Sequence, residues 1–243
     1  MRELPDPTTT AIFLDLDGTL VDIAAEPHLV VVPADLPPLL SRLSTRLGGA
    51  LAIISGRTTN EIDHFLHPLR LPAAGVHGAE MRTEVEGEVL LTVGPLDPAV
   101  EAAVNRLSAL GPGVLIENKV HTIAVHFRLA PSAEPEIEAE LKKIVAGTAD
   151  HFILAPGRCV IEVVPRHVAK GTALEAFMAT RAFQGRRPIM VGDDLPDESA
   201  LAAAERLGGR GLRVAGEHFK AGADFAGPAE VRVWLERITN AAG

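Results

Sequence analysis

The sequence predicts an α/β protein: a Rossmann-like parallel-sheet core with an inserted α+β cap domain. Three observations carry that prediction. Short apolar runs alternate with helical patterns toward both ends of the chain, a rhythm that builds parallel strands joined by right-handed crossovers. Each run stops abruptly at a polar cluster: Asp15-Leu16-Asp17-Gly18, Ser55-Gly56-Arg57, His77-Gly78 and Gly192-Asp193-Asp194. Between residues 94 and 165 the rhythm changes to helix–strand–strand, stated twice.

The elements follow in order. Ala11–Leu14 is an apolar run with the length of a buried strand, ending in a loop. Pro33 and Asp35 open a helix whose Leu36, Leu39, Leu40, Leu43 and Leu47 fall at helical spacing. Ala50–Ile54 is a second strand, Asn60–Leu66 a short helix, and Ala73–Val76 a third strand. Met81–Val85 and Glu88–Val93 flank Glu86-Gly87 as a hairpin. In the insert, Asp97 caps a helix with Pro98 at its first position and Val100, Val104 and Leu107 as its stripe. Strands follow at Val114–Lys119 and Thr122–Arg128, then a helix carrying Ile137, Leu141, Ile144 and Val145, then strands around Phe152–Leu154 and Cys159–Val164. An antiparallel sheet with both helices on one face is the packing this pattern expects. The α/β rhythm then resumes. Lys170 opens a helix with Leu174 and Phe177, and Pro188–Val191 and Leu212–Ala215 are strands. Gly208-Gly209-Arg210-Gly211 reads as a helix stop, and Val231, Leu235 and Ile238 line a final helix that packs Trp234. The expected domains are therefore 1–93 with 166–243 as the core, and 94–165 as the insert.

Composition narrows the function. Acidic residues outnumber basic ones, 32 to 23, for a formal charge of −9, which argues against a nucleic-acid partner. No apolar run reaches the ~18–20 residues of a membrane span. The polar start, with Pro5 and Pro7, lacks a charged-then-apolar leader pattern. With Cys159 the single cysteine, a reduced, cytoplasmic setting is expected, and separately a monomer.

The polar clusters carry the chemistry. Asp15 and Asp17 stand two apart at a strand end, so both side chains can lean into one space. A carboxylate can attack phosphorus without a base to activate it, and a second can pass a proton to the leaving oxygen and later accept one from water. A capped turn after a buried strand is the plain alternative. Ser55 could hold a phosphate oxygen, and Lys170, at a helix start, adds positive charge where anions already bind well. Asp193, Asp194, Asp197 and Glu198 place four carboxylates within six residues. Without a cation they repel, and an all-oxygen donor set suits Mg²⁺. A helix cap is the alternative for Asp194 or Asp197. No phosphate-binding loop of the Gly-x-x-x-x-Gly-Lys type occurs, and Ser55 lacks the glycine of a nucleophile elbow.

In the insert, Leu115, Glu117 and Lys119 share one strand face, as do His126 and Arg128, while Glu162 stands among valines and isoleucines. A carboxylate so placed needs partners. An ion pair with Lys119 or Arg128 and a contact to sugar hydroxyls answer that need equally well.

The ordered set Asp-x-Asp-Gly-Thr, Ser, Lys, Gly-Asp-Asp resembles the haloacid dehalogenase-like phosphatases with a large cap inserted between the Ser and Lys motifs. Leu14–Leu20, Ser55–Arg57, Gly75–Glu80, Ile116–Lys119, His126–Arg128, Ile161–Lys170 and Gly192–Glu198 together resemble the trehalose-6-phosphate phosphatases. That resemblance implies a Mg²⁺-dependent phosphatase acting on trehalose 6-phosphate through an aspartyl-phosphate. Asp15 would be nucleophile and Asp17 acid and base, with Ser55 and Lys170 on the phosphoryl group. Asp15, the carbonyl of Asp17, Asp193 and Asp194 would serve the metal. Gly56, Arg57, His77, Glu80, Glu117, Lys119, Arg128 and Glu162 would serve the substrate. A trehalose-6-phosphate synthase is the implied partner. Pro196 departs from the family pattern, which has Thr there, and Val164 and the Arg166–Val168 stretch also differ. The alternatives are a capped phosphatase for sucrose phosphate or mannosyl phosphoglycerate, a mutase, or a catalytically silent regulatory subunit.

Overall fold

In a computed structural model, which describes residues 4–24, 29–149 and 151–241, the chain divides into two compact units. One comprises Met1–Leu90 and Ala169–Gly243, the other Leu91–Val168. Each has its own apolar core. Among the described residues, no helix is long and apolar enough to cross a membrane.

The first unit is built on a seven-stranded sheet. Its strands are β1 (Thr10–Leu14), β2 (Leu51–Ile54), β3 (Ala73–Gly75), β4 (Glu80–Arg82), β5 (Leu90–Leu91), β10 (Arg187–Gly192) and β11 (Arg210–Arg213), in the order β11-β10-β1-β2-β3-β4-β5. From β11 to β3 every pairing is parallel, and β4 turns antiparallel to β3. Strands β1 and β2 are buried at every residue, which is why both read as unbroken apolar runs rather than alternating ones. Because β10, β1 and β2 are neighbours, the residues just past their carboxyl ends, Asp193, Asp15 and Ser55, emerge side by side. That is where an open parallel sheet presents its ligand site.

Helices α1 (Leu36–Arg46), α2 (Thr59–Phe65), α5 (Lys170–Met178), α6 (Glu198–Arg206) and α7 (Pro228–Asn240) belong to this unit. Thr58 and Glu61 close a capping box at the start of α2, satisfying donors the first turn leaves open. The seat of α5 is set by aromatic packing. Phe177 lies 5.8 Å from Phe13 of β1 and 5.3 Å from Phe183, and Phe13 stacks on Phe183 at 5.2 Å. All three are fully buried. With its last turn fixed there, α5 begins at Lys170, two turns earlier, beside the end of β1.

Two expectations shift. The hairpin strands are shorter than the apolar pattern implies, Glu80–Arg82 and Leu90–Leu91. Glu86 has φ +57°, and Glu84, Glu86 and Glu88 crowd the loop between the strands with like charge. The last strand is Arg210–Arg213 rather than Leu212–Ala215, so part of the glycine cluster is strand. An edge position accepts such residues because one side of the ladder is unpaired. Helix α6 ends at Arg206, and Gly208 follows at φ +78°, so the start of the glycine cluster is the helix stop its composition expects.

The second unit has helices α3 (Pro98–Asn105) and α4 (Glu134–Ala146) and strands β6 (Leu115–Asn118), β7 (Ile123–His126), β8 (Phe152–Gly157) and β9 (Val160–Pro165). Its sheet is antiparallel in the order β6-β7-β9-β8. Val100, Val104, Ile137 and Leu141 of the helices share one core with Ile123, Val125, Ile161 and Val163. Strand alternation turns Glu117, Ala124 and Glu162, which stand in register, to the opposite face. Pro156 extends β8 beyond its apolar start, and it can do so on an edge strand.

Among the described residues, Arg82 is the largest fully buried side chain. Its Nε donates to Leu71 O at 2.8 Å, and Nη1 and Nη2 donate to the Asp63 carboxylate at 2.8 and 2.5 Å. Asp63 of α2 also accepts from Arg70 Nε at 3.1 Å. Partial burial pushes the Asp63 carboxyl up, but the bonds from Arg82 and Arg70 outweigh it and hold the group below its ordinary range. The lowered folded pKa makes this contribution complete above the unfolded carboxylate range and lost as pH falls through the folded value. Arg82→Met is expected to cost about 2 kcal/mol, since it removes two charge-assisted bonds and leaves the half-buried Asp63 carboxylate to Arg70. Chemical unfolding at a series of pH values should also show a shallower loss of stability below about pH 4 than in the parent. An unchanged acid slope would contradict this account.

Candidate active site

The site is assembled at the carboxyl ends of β10, β1 and β2. Asp15 follows β1 directly and is 5 % exposed. Its Oδ1 accepts from Lys170 Nζ at 2.6 Å, and the same ammonium donates to Asp197 Oδ1 at 2.6 Å. Asp197 Oδ2 accepts from the backbone N–H groups of Asp193 and Asp194 at 3.0 and 3.1 Å, so this carboxylate pins the turn that follows β10. Asp193 Oδ1 accepts from Thr19 Oγ1 at 3.1 Å. Between Asp17 and Thr19 the chain passes through Gly18 at φ +82°, where a Cβ would stand 2.1 Å from Asp193 Oδ2. Only glycine permits that approach of backbone to carboxylate.

Ser55, 2 % exposed, follows β2, and its Oγ accepts from Arg57 N–H at 3.2 Å. Arg57 forks onto Asp17, Nε to Oδ2 at 2.6 Å and Nη2 to Oδ1 at 2.7 Å. His77 follows β3 in the left-handed region, φ +57°, with its N–H donating to Ser55 O at 2.9 Å. Glu80 Oε2 accepts from Thr59 N–H at 2.7 Å and Thr59 Oγ1 at 2.6 Å, so its carboxylate serves the start of α2.

The charge balance is uneven. Asp15, Asp193 and Asp197 are buried with ligand atoms all within 4.8 Å of one another, and one ammonium stands among them. Burial and then the Asp197 charge push Asp15 well above the ordinary carboxylate range, Lys170 notwithstanding. The same two causes raise Asp193 to about 7. Burial works against the Lys170 charge, but Asp15 and Asp197 outweigh it and raise its pKa. Three carboxylates facing one cation leave negative charge that a divalent ion would neutralise, and an all-oxygen set fits Mg²⁺ by chemistry. Asp197 already has both oxygens bonded to donors, which leaves Asp15 and Asp193 the more open pair.

The sequence-derived site residues thus fall into separate groups. Asp15, Ser55, Lys170 and Asp193 converge, with Asp17 and Arg57 paired at their side. Asp194 serves the backbone instead. Its Oδ1 accepts from Leu195 N–H at 2.8 Å, capping a short 3₁₀ turn over Leu195–Asp197. Pro196 sits in the first positions of that turn, where no backbone N–H is required, so the departure from Thr is sterically compatible. Asp197 belongs to the site although sequence reasoning left it out of the ligand set. Its place in the Asp193–Glu198 acidic run was the signal.

In the second unit, described by itself, Glu117, Lys119, Thr122, His126 and Glu162 form one polar cluster. Thr122 Oγ1 donates to Glu162 Oε1, and Lys119 Nζ lies 3.4 Å from that oxygen and 3.9 Å from Glu117 Oε2. His126 Nε2 donates to Glu117 Oε2 at 2.8 Å. That bond, against burial and with help from Lys119, holds Glu117 below its ordinary range. Glu162 is 5 % exposed and Lys119 is its ion-pair partner, while Arg128 is half-buried beyond the end of β7.

Known proteins resemble this chain in sequence and in fold. A family model described as trehalose-phosphatase matches residues 13–223. The trehalose-6-phosphate phosphatase of Escherichia coli (strain K12) is 39% identical over 233 residues, covering 95% of this chain and 87% of that protein. A bifunctional trehalose-6-phosphate synthase/phosphatase of Thermoproteus tenax is 30% identical over 202 residues, covering 79% of this chain and 27% of the larger protein. Among solved structures, the C-terminal domain of a Candida albicans trehalose-6-phosphate phosphatase superposes with a TM-score of 0.84 at 20% identity, over 97% of this chain and 93% of that one. At that identity the likeness is one of fold.

The surplus charge makes a prediction independent of turnover. An acid whose folded pKa is raised keeps its proton in the folded state while the unfolded chain has lost it, so stability falls as pH climbs between the two values. For Asp193 that window runs from the ordinary carboxylate range to about 7. In EDTA, Asp193→Asn should therefore raise the Tm at about pH 7 relative to the parent and flatten its decline from about pH 5. The variant should also lose the Tm increase that Mg²⁺ gives the parent. Calorimetry with and without the ion checks both. A parent indifferent to Mg²⁺ would remove the metal assignment.

Proposed function

This chain belongs to the trehalose-phosphatase family, and from that premise we propose that it hydrolyses trehalose 6-phosphate to trehalose and phosphate through an aspartyl-phosphate at Asp15. The observation that carries the reading is the Lys170 ammonium held 2.6 Å from both Asp15 and Asp197, next to Asp193, at the ends of the central strands.

Asp15 attacks phosphorus. A bond forms from its carboxylate oxygen as the bond to the sugar oxygen breaks, and Asp17 delivers a proton to that leaving oxygen. In the second half Asp17 takes a proton from water, the water oxygen bonds to phosphorus, and the acyl phosphate releases Asp15. Lys170 stays positive throughout, since Asp15 and Asp197 raise its pKa, and it offsets the charge on the transferring phosphoryl group. Ser55 offers a hydroxyl at the adjacent strand end. Asp15, Asp193 and the carbonyl of Asp17 would hold Mg²⁺. When bound, that ion supplies charge neutralisation that keeps Asp15 ionised and screens its repulsion from the anionic substrate. Lys119, Glu117 and Glu162 are proposed to recognise sugar hydroxyls. Their mutual contacts answer the structural need for partners, and Glu117 remains accessible, its side chain 37% exposed.

A cytoplasmic setting is proposed on the single cysteine. A synthase as functional partner is proposed because the Thermoproteus tenax relative is named for both activities.

Asp15→Asn is expected to abolish phosphate release while leaving the circular-dichroism spectrum unchanged; substantial residual turnover would sink the aspartyl-phosphate. EDTA should stop the parent and added Mg²⁺ restore it. Glu162→Ala should lose at least about tenfold more kcat/KM on trehalose 6-phosphate than on a small aryl phosphate. Equal losses on both would contradict the specificity role.

A further inference from the structure

Arg57 enters the sequence reading as a substrate-binding residue, yet its guanidinium is engaged with the protein. Nε and Nη2 form parallel bonds to the two oxygens of Asp17, at 2.6 and 2.7 Å. Such a fork fixes both the position and the plane of a carboxylate, which a single ammonium cannot do. Arg57 itself is 9 % exposed. Its Cζ lies 4.6 Å from the Phe65 ring centroid, and Nη1 stands 3.6 Å from Glu61 Oε1. Both of those residues are on α2.

The backbone of Arg57 is held as firmly. Its N–H bonds Ser55 Oγ, and its carbonyl accepts from Val76 N–H at 2.8 Å. Val76 and His77 are both left-handed, φ +49° and +57°. For a buried, β-branched valine that conformation is strained, and such strain persists where the surroundings impose it. Gly75 completes the fit, because a Cβ there would stand 2.9 Å from Arg57 O and 2.5 Å from Thr59 N. The end of β3 thus clamps the loop after β2, which in turn presents the guanidinium to Asp17.

Asp17 needs that help. It lies on an open turn, 31% exposed at its side chain, and its carboxylate would otherwise rotate freely in water. We propose that Arg57 is a positioning residue: it holds the Asp17 carboxylate where Asp17 transfers its proton, and it does not itself grip the substrate. The inference rests on the acid–base role given to Asp17 above and deepens it.

Steady-state kinetics on trehalose 6-phosphate with Mg²⁺ present tests it. Arg57→Ala should lower kcat about 10²-fold, the scale of a misplaced proton-transfer group, with KM moving less than about threefold. Arg57→Lys keeps the charge without the fork and should recover only part of kcat. Methylguanidinium added to Arg57→Ala should restore more activity than an equal concentration of methylammonium. In an Asp17→Asn background, Arg57→Ala should cost nothing further. Phe65→Leu removes the ring beneath the guanidinium and should lower kcat in the parent but not in Arg57→Ala; it carries the test if Arg57→Ala does not fold. A rise in KM with kcat intact, or a full loss on top of Asp17→Asn, overturns the proposal by making Arg57 a substrate ligand. An active Asp15→Asn would instead overturn the aspartyl-phosphate reading, and the two failures are separable.

Discussion

The crowding of three buried carboxylates around one ammonium is the constraint on which the first unit depends. Asp15, Asp193 and Asp197 come within 4.8 Å of one another, although an unpaired charge in such a setting costs several kcal/mol. The arrangement stands because other parts of the fold are committed to it. The adjacency of β10 and β1 brings Asp193 beside Asp15. The Phe13–Phe177–Phe183 packing seats α5, and with it Lys170. The Asp194-capped turn delivers Asp197, which holds the same turn through two backbone N–H groups. Core packing therefore dictates the charge geometry, and the charge geometry dictates which chemistry is available. Such a cluster serves catalysis better than stability, as sites that tolerate unfavourable local interactions commonly do.

The sequence made much of this legible because its signals are local. A buried parallel strand is an apolar run, and a run that stops at Asp or Ser marks the rim where ligands gather. Asp15, Ser55, Lys170 and Asp193 could be gathered on that logic, although Lys170 and Asp15 are 155 residues apart. What stayed hidden were pairings between side chains distant in sequence. Nothing periodic announces that Arg57 forks onto Asp17, 40 positions away, or that Arg82 is buried against Asp63. An arginine in a loop reads as solvated or as a phosphate ligand until the topology shows what stands opposite it. The misplaced last strand has a different cause. Gly209-Arg210-Gly211 carries the composition of a turn, and only the edge position in the sheet lets two of those residues serve as strand.

The inserted unit solves a similar electrostatic problem by milder means. Glu162 is as deeply buried as Asp15, but Thr122 and Lys119 answer it directly, and His126 answers Glu117. The carboxylates there are matched by donors on or beside neighbouring strands. A cluster satisfied in this way costs little to keep, yet every member is a donor or acceptor of the kind a sugar hydroxyl can join or displace. From spacing alone, a structural ion pair and a sugar contact looked like rival accounts of Glu162. The geometry makes them compatible, because one Lys119 ammonium reaches toward two carboxylates at 3.4 and 3.9 Å and is fully committed to neither.

The two polar clusters differ in how much change they can bear. In the first, each carboxylate is positioned by another: Asp197 holds the backbone of Asp193, Lys170 bridges Asp197 and Asp15, and Gly18 exists to let Asp193 approach. Altering one member disturbs the rest. In the second, donors and acceptors project from a regular antiparallel ladder whose register is set by the apolar face beneath. A side chain on that polar face can change without moving the strand that carries it. On the roles proposed for the two clusters, reaction type and substrate choice are encoded with different rigidity. This is why alternative sugar phosphates remained open on the sequence of the insert while the aspartate, serine, lysine and acidic motifs of the core favoured phosphoryl transfer to an aspartate.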